Sequence, residues 1–205
     1  MSDTAGRLRR RAQSFGVLVP LHAEARLVAY FDLLFRWNAK INLTALTDPD
    51  AAIDRLLLEP VAAALELPRD LDLMDLGSGG GSPAIPLALA LQARRLVMVE
   101  SKSRKVAFLR EAARAVELNA IVESDRFEAV AERGAYKGRM TAVSIRAVRV
   151  DIATLKTART FLQTGGRVAL FSRVPALPAD WPADVLRPVK IAPLPGDTHL
   201  VLLEA

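Results

Sequence analysis

The chain contains no cysteine and only two histidines, His22 and His199. Without cysteine there is no disulfide bond, no zinc–thiolate site and no thiol nucleophile. The two histidines lie far apart in the sequence, so nothing indicates an imidazole-based metal centre. We therefore expect no bound metal.

Long hydrophobic runs are also missing. No run is long enough to span a bilayer, and the opening MSDTAGRLRRRAQS is polar and basic, with no apolar targeting segment after it. We expect a cytoplasmic monomer with no membrane partner.

The chain does have enough apolar residues for a core. Its 205 residues are 51% hydrophobic, which suits one well-buried domain with a small appendage. Its 28 Lys and Arg outnumber 23 Asp and Glu, and seven of the basic residues fall between Arg94 and Arg114. This surplus suits a polyanionic partner, although a solvated helix face has the same pattern.

The first 65 residues predict helices. Leu27, Phe31 and Leu34 recur at helical spacing and indicate an amphipathic helix that ends near Trp37, which we interpret as an anchor of the helical core. Asp48 and Pro49 then predict the cap and first turn of a second helix. We expect this helix to continue until Pro68.

From Leu71 onward, strands alternate with helices, which favours a parallel, doubly wound sheet. The last two predicted strands are joined only by Pro195–Asp197. Because so short a link cannot make a parallel crossover, the chain should end in an antiparallel hairpin. The predicted fold is α/β, with an N-terminal helical extension over 1–68 and a Rossmann-like domain over 69–205, together one structural unit.

A glycine-rich segment follows the first predicted strand. Between Gly77 and Gly81 four of five residues are glycine, so the backbone can adopt positive φ and let a ligand approach closely. In open α/β sheets ligands lie beyond the carboxyl ends of the strands, where this loop falls. Glu100 ends the next strand and is suited to accept hydrogen bonds from ribose hydroxyls.

Three kinds of ligand, and a turn that binds nothing, are candidates for such a loop. A phosphate-binding loop is excluded because no Lys follows the glycines. A nicotinamide site remains open, but Ser82 stands where its third glycine belongs, and Asp75 would serve an anionic pyrophosphate poorly. S-adenosylmethionine is cationic and has no phosphate, so it suits Asp75 better. The antiparallel end of the sheet also favours a class I methyltransferase; a purely structural turn stays as an alternative.

Five segments in one order narrow the interpretation. They begin at Phe35, Asp75, Val99, Asp125 and Val143 and read FRWNAKINLTALTDPDAAIDR, DLGSGGGSPAIPLALA, VESKSRKVAFLREAARAVEL, DRFEAVAE and VSIRAV. Together they resemble the ribosomal small-subunit methyltransferase G family, once called glucose-inhibited division protein B. The resemblance covers about 30–148 and is echoed weakly in the closing GDTHLVLLEA.

The resemblance implies methyl transfer from S-adenosylmethionine to N7 of a guanine near the decoding site of 16S ribosomal RNA, free or in the small subunit. By position it implies cofactor contacts from Gly77, Ser82, Phe127, Glu128 and Arg146. The residue patterns add Asp75, Gly79 and Glu100 to the cofactor site. Arg104 and Lys105 are candidate RNA contacts.

No catalytic residue is assigned, because guanine N7 has a free lone pair and loses no proton when it attacks. The enzyme has only to hold the two reacting atoms in line and exclude water. Arg146 lies where it would contact the cofactor carboxylate, guanine O6 or a phosphate.

The chain departs from the family pattern on its substrate side. Leu56, Glu59 and Pro60 replace the His, Asp and Ser of RH-x-x-D-S, and Ser172 and Arg173 replace a usual Lys-Gly. Two alternatives therefore stay open: a diverged methyltransferase with another substrate, and a non-catalytic, cofactor-binding RNA or assembly module.

Overall fold

The computed structural model of the chain describes residues 4–174 and 184–205. The helices are α1 (Thr4–Phe15), α2 (Leu21–Asn38), α3 (Pro49–Ile53), a π-helical turn (Asp54–Leu58), α4 (Glu59–Ala63), a 3₁₀ turn (Ala64–Glu66), α5 (Ala84–Leu91), α6 (Ser103–Ala115), α7 (Phe127–Glu132) and α8 (Ile152–Phe161). The strands are β1 (Asp72–Leu76), β2 (Arg95–Val99), β3 (Ala120–Glu123), β4 (Met140–Arg146), β5 (Leu162–Ser172), β6 (Arg187–Pro193) and β7 (His199–Glu204).

The strands form one seven-stranded sheet in the order β3-β2-β1-β4-β5-β7-β6. β1 to β5 pair in parallel, and β7 pairs antiparallel with both β5 and β6. The predicted α/β sheet with a closing antiparallel hairpin is therefore confirmed. The reason is the short link between β6 and β7, which allows only a reversal of direction.

Both faces of the sheet are covered. Leu73 and Met98 point into a cluster shared with α1 to α6, whereas Met74 and Val143 point into a second cluster with α7 and α8. All five residues of β1 are buried, as expected for a central parallel strand with helices on both sides. The helices before β1 therefore cover one face of the sheet.

The helix after Asp48 begins as predicted but does not continue as one α-helix. The Asp48 side chain accepts a hydrogen bond from Ala51 N, and Pro49 occupies the first turn. The helix then widens into the π-helical turn, in which Glu59 N donates to Asp54 O. Pro60 has no N–H to donate, so two carbonyl groups in this turn, those of Arg55 and Leu56, accept hydrogen bonds from outside the helix.

In the two described ranges no helix is both long and apolar enough to cross a membrane. Within the same residues no group of three or more His, Asp or Glu side chains is arranged to hold a metal ion.

Candidate active site

The carboxyl ends of β1, β2 and β3 meet at one edge of the sheet because the strands are parallel. A cavity of about 190 Å³ opens there. Its lining comprises Gly77, Val99, Glu100, Ser101, Asp125, Arg126, Phe127 and Glu128. This is the edge at which open α/β sheets bind ligands.

The first half of the glycine segment forms a wall of this cavity. Gly77 N and Ser78 N both donate to Val99 O, at 2.9 and 3.0 Å, which holds the loop against the end of β2. Gly77 has φ +72°, and a Cβ there would lie 2.7 Å from Val148 Cγ2. Gly79 has φ +53°, but a Cβ on it would meet no atom closer than 3.7 Å. Position 77 therefore requires glycine for lack of space, whereas position 79 has room.

The second half of the segment packs against the N-terminal helices. A Cβ on Gly81, which has φ +84°, would lie 2.9 Å from Ile85 Cδ1 and 3.3 Å from the ring of Tyr30. Tyr30 is fully buried and donates its hydroxyl to Gly80 O at 2.6 Å. The bare backbone therefore serves two purposes: it borders the cavity on one side and accommodates α2 on the other.

Glu100 is fixed by the main chain around it. Its Oε2 accepts from Gly79 N and its Oε1 from Lys102 N, both at 2.9 Å. The residue is 8% exposed and lines the cavity. A carboxylate has about four acceptor positions, so two remain for hydroxyl groups of a ligand.

Asp75 lies behind the loop and does not line the cavity. It is buried, and one of its oxygens accepts from Ser144 Oγ at 2.5 Å. Burial raises the pKa of Asp75 to about 6, and the hydrogen bonds from Ser144 and Ser78 oppose part of that rise. Asp75 thus supports the loop from the interior.

Arg146 and Ser82 lie together in a different network. Arg146 donates to Glu59 Oε2 at 2.9 Å, to Arg55 O at 2.8 Å and to Ser82 Oγ at 3.2 Å. Ser82 in turn donates to Leu56 O at 2.8 Å. The contacts join the end of β4 and the glycine loop to the π-helical turn. Glu59 and Pro60, which depart from the family pattern, thus belong to this network. Glu59 supplies the carboxylate that pairs with Arg146. Pro60 has no N–H, which leaves the carbonyls of the turn free to accept from Arg146 and Ser82.

The Arg146–Glu59 pair is buried on both sides, with 7% and 3% of the two side chains exposed. Burial raises the pKa of Glu59, against the attraction of Arg146. Burial also lowers the pKa of Arg146 to about 10, against the attraction of Glu59. The guanidinium in addition lies over the ring of Phe171, at 4.5 Å from its centroid.

The structure therefore divides the predicted cofactor residues into three groups. Gly77, Glu100, Phe127 and Glu128 line one cavity, and Asp75 and Gly79 support its walls. Ser82 and Arg146 contact the N-terminal helices instead. The assignment of all eight residues as cofactor contacts stays a prediction.

The two candidate RNA contacts lie beside this site. Arg104 and Lys105 are in the first turn of α6, and Lys105 Nζ is 3.9 Å from the position that a Cβ on Gly79 would occupy. Of the two departures after β5, Arg173 is exposed and Ser172 is half-buried, with its Oγ accepting from Val174 N.

Sequence reasoning missed some lining residues. Ser101 and Asp125 each lie two residues beyond the end of a strand, β2 and β3 respectively, and this position was the signal that could have identified them. No local sequence pattern predicts the ion pair between Glu59 and Arg146, because the two residues are 87 positions apart.

Known proteins of similar sequence match most of this chain. A family model described as rRNA small subunit methyltransferase G matches residues 23–172. The protein called ribosomal RNA small subunit methyltransferase G of Xanthomonas axonopodis pv. citri (strain 306) is 37% identical over 186 residues, which is 87% of this chain and 85% of that protein. Its namesake in Stenotrophomonas maltophilia (strain K279a) is 36% identical over 85% of this chain and 84% of its own.

Solved structures with the same fold are more distant in sequence. TYW2 of M. jannaschii, in complex with AdoMet, aligns with a TM-score of 0.56 at 16% identity, over 81% of this chain and 78% of its own. A SAM-dependent methyltransferase from Aquifex aeolicus aligns with a TM-score of 0.55 at 11% identity, over 77% and 93%. At these identities the likeness concerns the fold alone. The family model and the two relatives carry the assignment: the chain belongs to the ribosomal RNA small subunit methyltransferase G family, as its sequence motifs predicted.

Proposed function

We propose that the protein transfers a methyl group from S-adenosylmethionine to N7 of a guanine near the decoding site of 16S ribosomal RNA. Family membership supports the enzyme class, the methyl donor and the RNA. One structural observation carries the proposal for the site: four residues assigned from the sequence, Gly77, Glu100, Phe127 and Glu128, line a single cavity at the strand ends. We further propose that it acts in the cytoplasm, as a monomer.

The cavity residues fit the nucleoside part of the donor. Glu100 has acceptor positions left for the two ribose hydroxyls, and Gly77 keeps the loop free of a side chain where the ligand would approach. Phe127 offers a half-buried aromatic surface for an adenine ring. The chemistry that S-adenosylmethionine would supply here is an electrophilic methyl group carried on a positively charged sulfur.

The protein has little acid–base work to do in this reaction. Guanine N7 presents a lone pair at neutral pH, so no side chain needs to remove a proton before attack. Main-chain N–H groups of the loop donate to the Val99 carbonyl and to the Glu100 carboxylate, and the loop so held provides a fixed frame for orienting the reacting atoms. Arg104 and Lys105 would contact phosphate groups beside that frame.

Methyl transfer in vitro tests the proposal. The purified protein is incubated with isotope-labelled S-adenosylmethionine and either small ribosomal subunits or naked 16S RNA that lack the modification. We expect label in 7-methylguanosine after digestion to nucleosides, and none with Glu100→Ala. Cofactor binding without transfer to either RNA would contradict the proposal and favour a non-catalytic module; label in another nucleoside would favour a diverged substrate.

A further inference from the structure

A basic groove runs between α2 and α6, outside the cavity described above. It consists of two adjoining depressions of about 640 and 600 Å³ that share Lys40, Ile41 and Arg104. We call it the α2–α6 groove and define it by six residues. They are Arg36, Trp37 and Lys40 on one side, and Lys102, Arg104 and Lys105 on the other.

The cations of the groove have no acidic partner in the described part of the chain. Among residues 4–174 and 184–205, none of the five basic side chains of the groove forms an ion pair. The acid in the groove, Glu111, accepts instead from Trp37 Nε1 at 3.2 Å. Other surface cations of the fold do have acidic partners, as in Arg7–Asp50, Arg9–Glu24, Arg94–Asp72 and Lys190–Glu66. The positive charge of the groove is thus available to an anion that the described residues do not supply.

The floor of the groove is apolar. Trp37 is half-buried, and its ring meets that of Phe108 edge-on at 5.8 Å between centroids. Leu33 and Ile41 line the groove beside it. Cations around an aromatic and aliphatic floor are the pattern of surfaces that bind single-stranded nucleic acid, in which bases contact the floor and phosphates contact the cations.

The groove leads to the candidate active site. Ser101 lines both the groove and the cavity that holds Glu100. Lys105 reaches from the groove to the neighbourhood of Gly79. A guanine must leave its stack before an enzyme can modify it in a pocket, so the strand on at least one side of it crosses the adjacent surface.

We propose that the α2–α6 groove binds an unpaired RNA strand next to the target guanine, with Arg36 and Lys40 contacting its phosphates. The inference deepens the proposed function and rests on it for the identity of the target. It extends the RNA-contacting surface from α6 onto the N-terminal helices. It also gives α2 a role in substrate binding in addition to its packing against the sheet.

Charge reversal on α2 and in the turn after it tests the groove. The double variant Arg36→Glu with Lys40→Glu is compared with Lys137→Glu with Lys156→Glu, which makes the same charge change in a depression at the opposite edge of the sheet. The dissociation constant for a labelled single-stranded RNA oligonucleotide and for a duplex of the same sequence is measured at several salt concentrations. Melting temperature and affinity for S-adenosylmethionine are measured alongside.

The groove variant should bind the single strand at least tenfold more weakly, with affinity for S-adenosylmethionine and melting temperature unchanged. Two lost phosphate contacts should also reduce the salt slope of the affinity by about 1.4. The control variant should stay within twofold of the unmodified protein. Equal losses in both variants, no loss in the groove variant, or a preference for the duplex would overturn the inference.

The inference and the proposed function can fail separately. Strand binding that depends on Arg36 and Lys40, without methyl transfer to 16S RNA, contradicts the proposed function and leaves the groove assignment intact. If the groove variant and the control variant both transfer the methyl group and bind RNA as tightly as the unmodified protein, only the groove assignment is contradicted.

Discussion

Asp75 is a carboxylate in an apolar interior, held there by hydroxyl groups. Burial disfavours its charged form and raises its pKa to about 6, well above its value in an unfolded chain. The folded state therefore binds a proton more tightly than the unfolded state does. Its contribution to stability is present below about pH 4 and is lost as the pH rises through 6.

Asp75→Asn should remove this pH dependence. The amide oxygen of Asn can still accept from Ser144, so the hydrogen bond survives without the buried charge. We expect the variant to be more stable at pH 7 by about 1 to 3 kcal/mol, with a flatter stability profile between pH 4 and 6. Denaturant unfolding across this pH range checks it. Ser144→Ala, which removes a hydrogen bond to the charged form, should steepen the profile; an unchanged slope in Asp75→Asn would contradict the account.

Gly79→Val tests whether the loop borders the cofactor. A Cβ at this position meets only ordinary contacts in the protein, so the fold should survive while the cofactor approach is blocked. We expect calorimetry to detect no binding of S-adenosylmethionine. The control is Gly134→Val. Gly134 has φ +70°, and no atom of the described residues lies within 4 Å of the position its Cβ would take, so the substitution imposes the same backbone strain away from the site. Equal affinity in the two variants would argue against the pocket.

The π-helical turn between α3 and α4 is distant in sequence from the glycine loop and β4 but contacts both. Its interrupted hydrogen bonding frees the carbonyls of Arg55 and Leu56, and Glu59 follows it directly as the first residue of α4. These groups meet Arg146 and Ser82 at the end of β4 and beside the glycine loop. The N-terminal helices are thus tied to the site by buried polar contacts as well as by apolar packing.

Glu59→Gln should be strongly destabilising, because it leaves the charge of Arg146 buried without its acid. We expect a loss of about 3 to 5 kcal/mol in the free energy of unfolding. The matched control is Glu66→Gln, which breaks the exposed pair with Lys190 and should cost less than about 1 kcal/mol. Chemical denaturation of both variants measures the difference. A similar small loss in the two would mean that the buried pair does not hold the turn in place.

Local patterns predict much of this fold but not the contacts between distant elements. Alternation from Leu71 onward predicts the sheet, the short link at Pro195–Asp197 predicts the hairpin, and Asp48 predicts a helix start. The π-helical turn escapes prediction because it depends on partners elsewhere in the chain. Arg146 is predicted at the strand end, yet its partner Glu59 cannot be inferred, since only folding brings the two together.

At the scale of the whole molecule, two apolar clusters cover the two faces of the sheet, and the cavity lined by Glu100 lies at the carboxyl ends of β1, β2 and β3. One cluster includes side chains from both α2 and the sheet, which suits the predicted single structural unit. The division at residue 68 stays a prediction. The net charge of +5 is distributed unevenly, and the cations of the α2–α6 groove beside the cavity form no ion pair with any residue of 4–174 or 184–205. This arrangement favours RNA approach on that side, with a strong dependence on salt.

The central claim is that the cavity at Glu100 supports methylation of guanine N7 in 16S RNA. Nucleosides of 16S RNA are quantified by mass spectrometry in cells that lack the gene and in the same cells supplied with the unmodified gene or with Glu100→Ala. We expect one 7-methylguanosine to disappear with the gene, to return with the unmodified protein and to stay absent with the variant. An unchanged content of 7-methylguanosine in the cells that lack the gene would contradict the account.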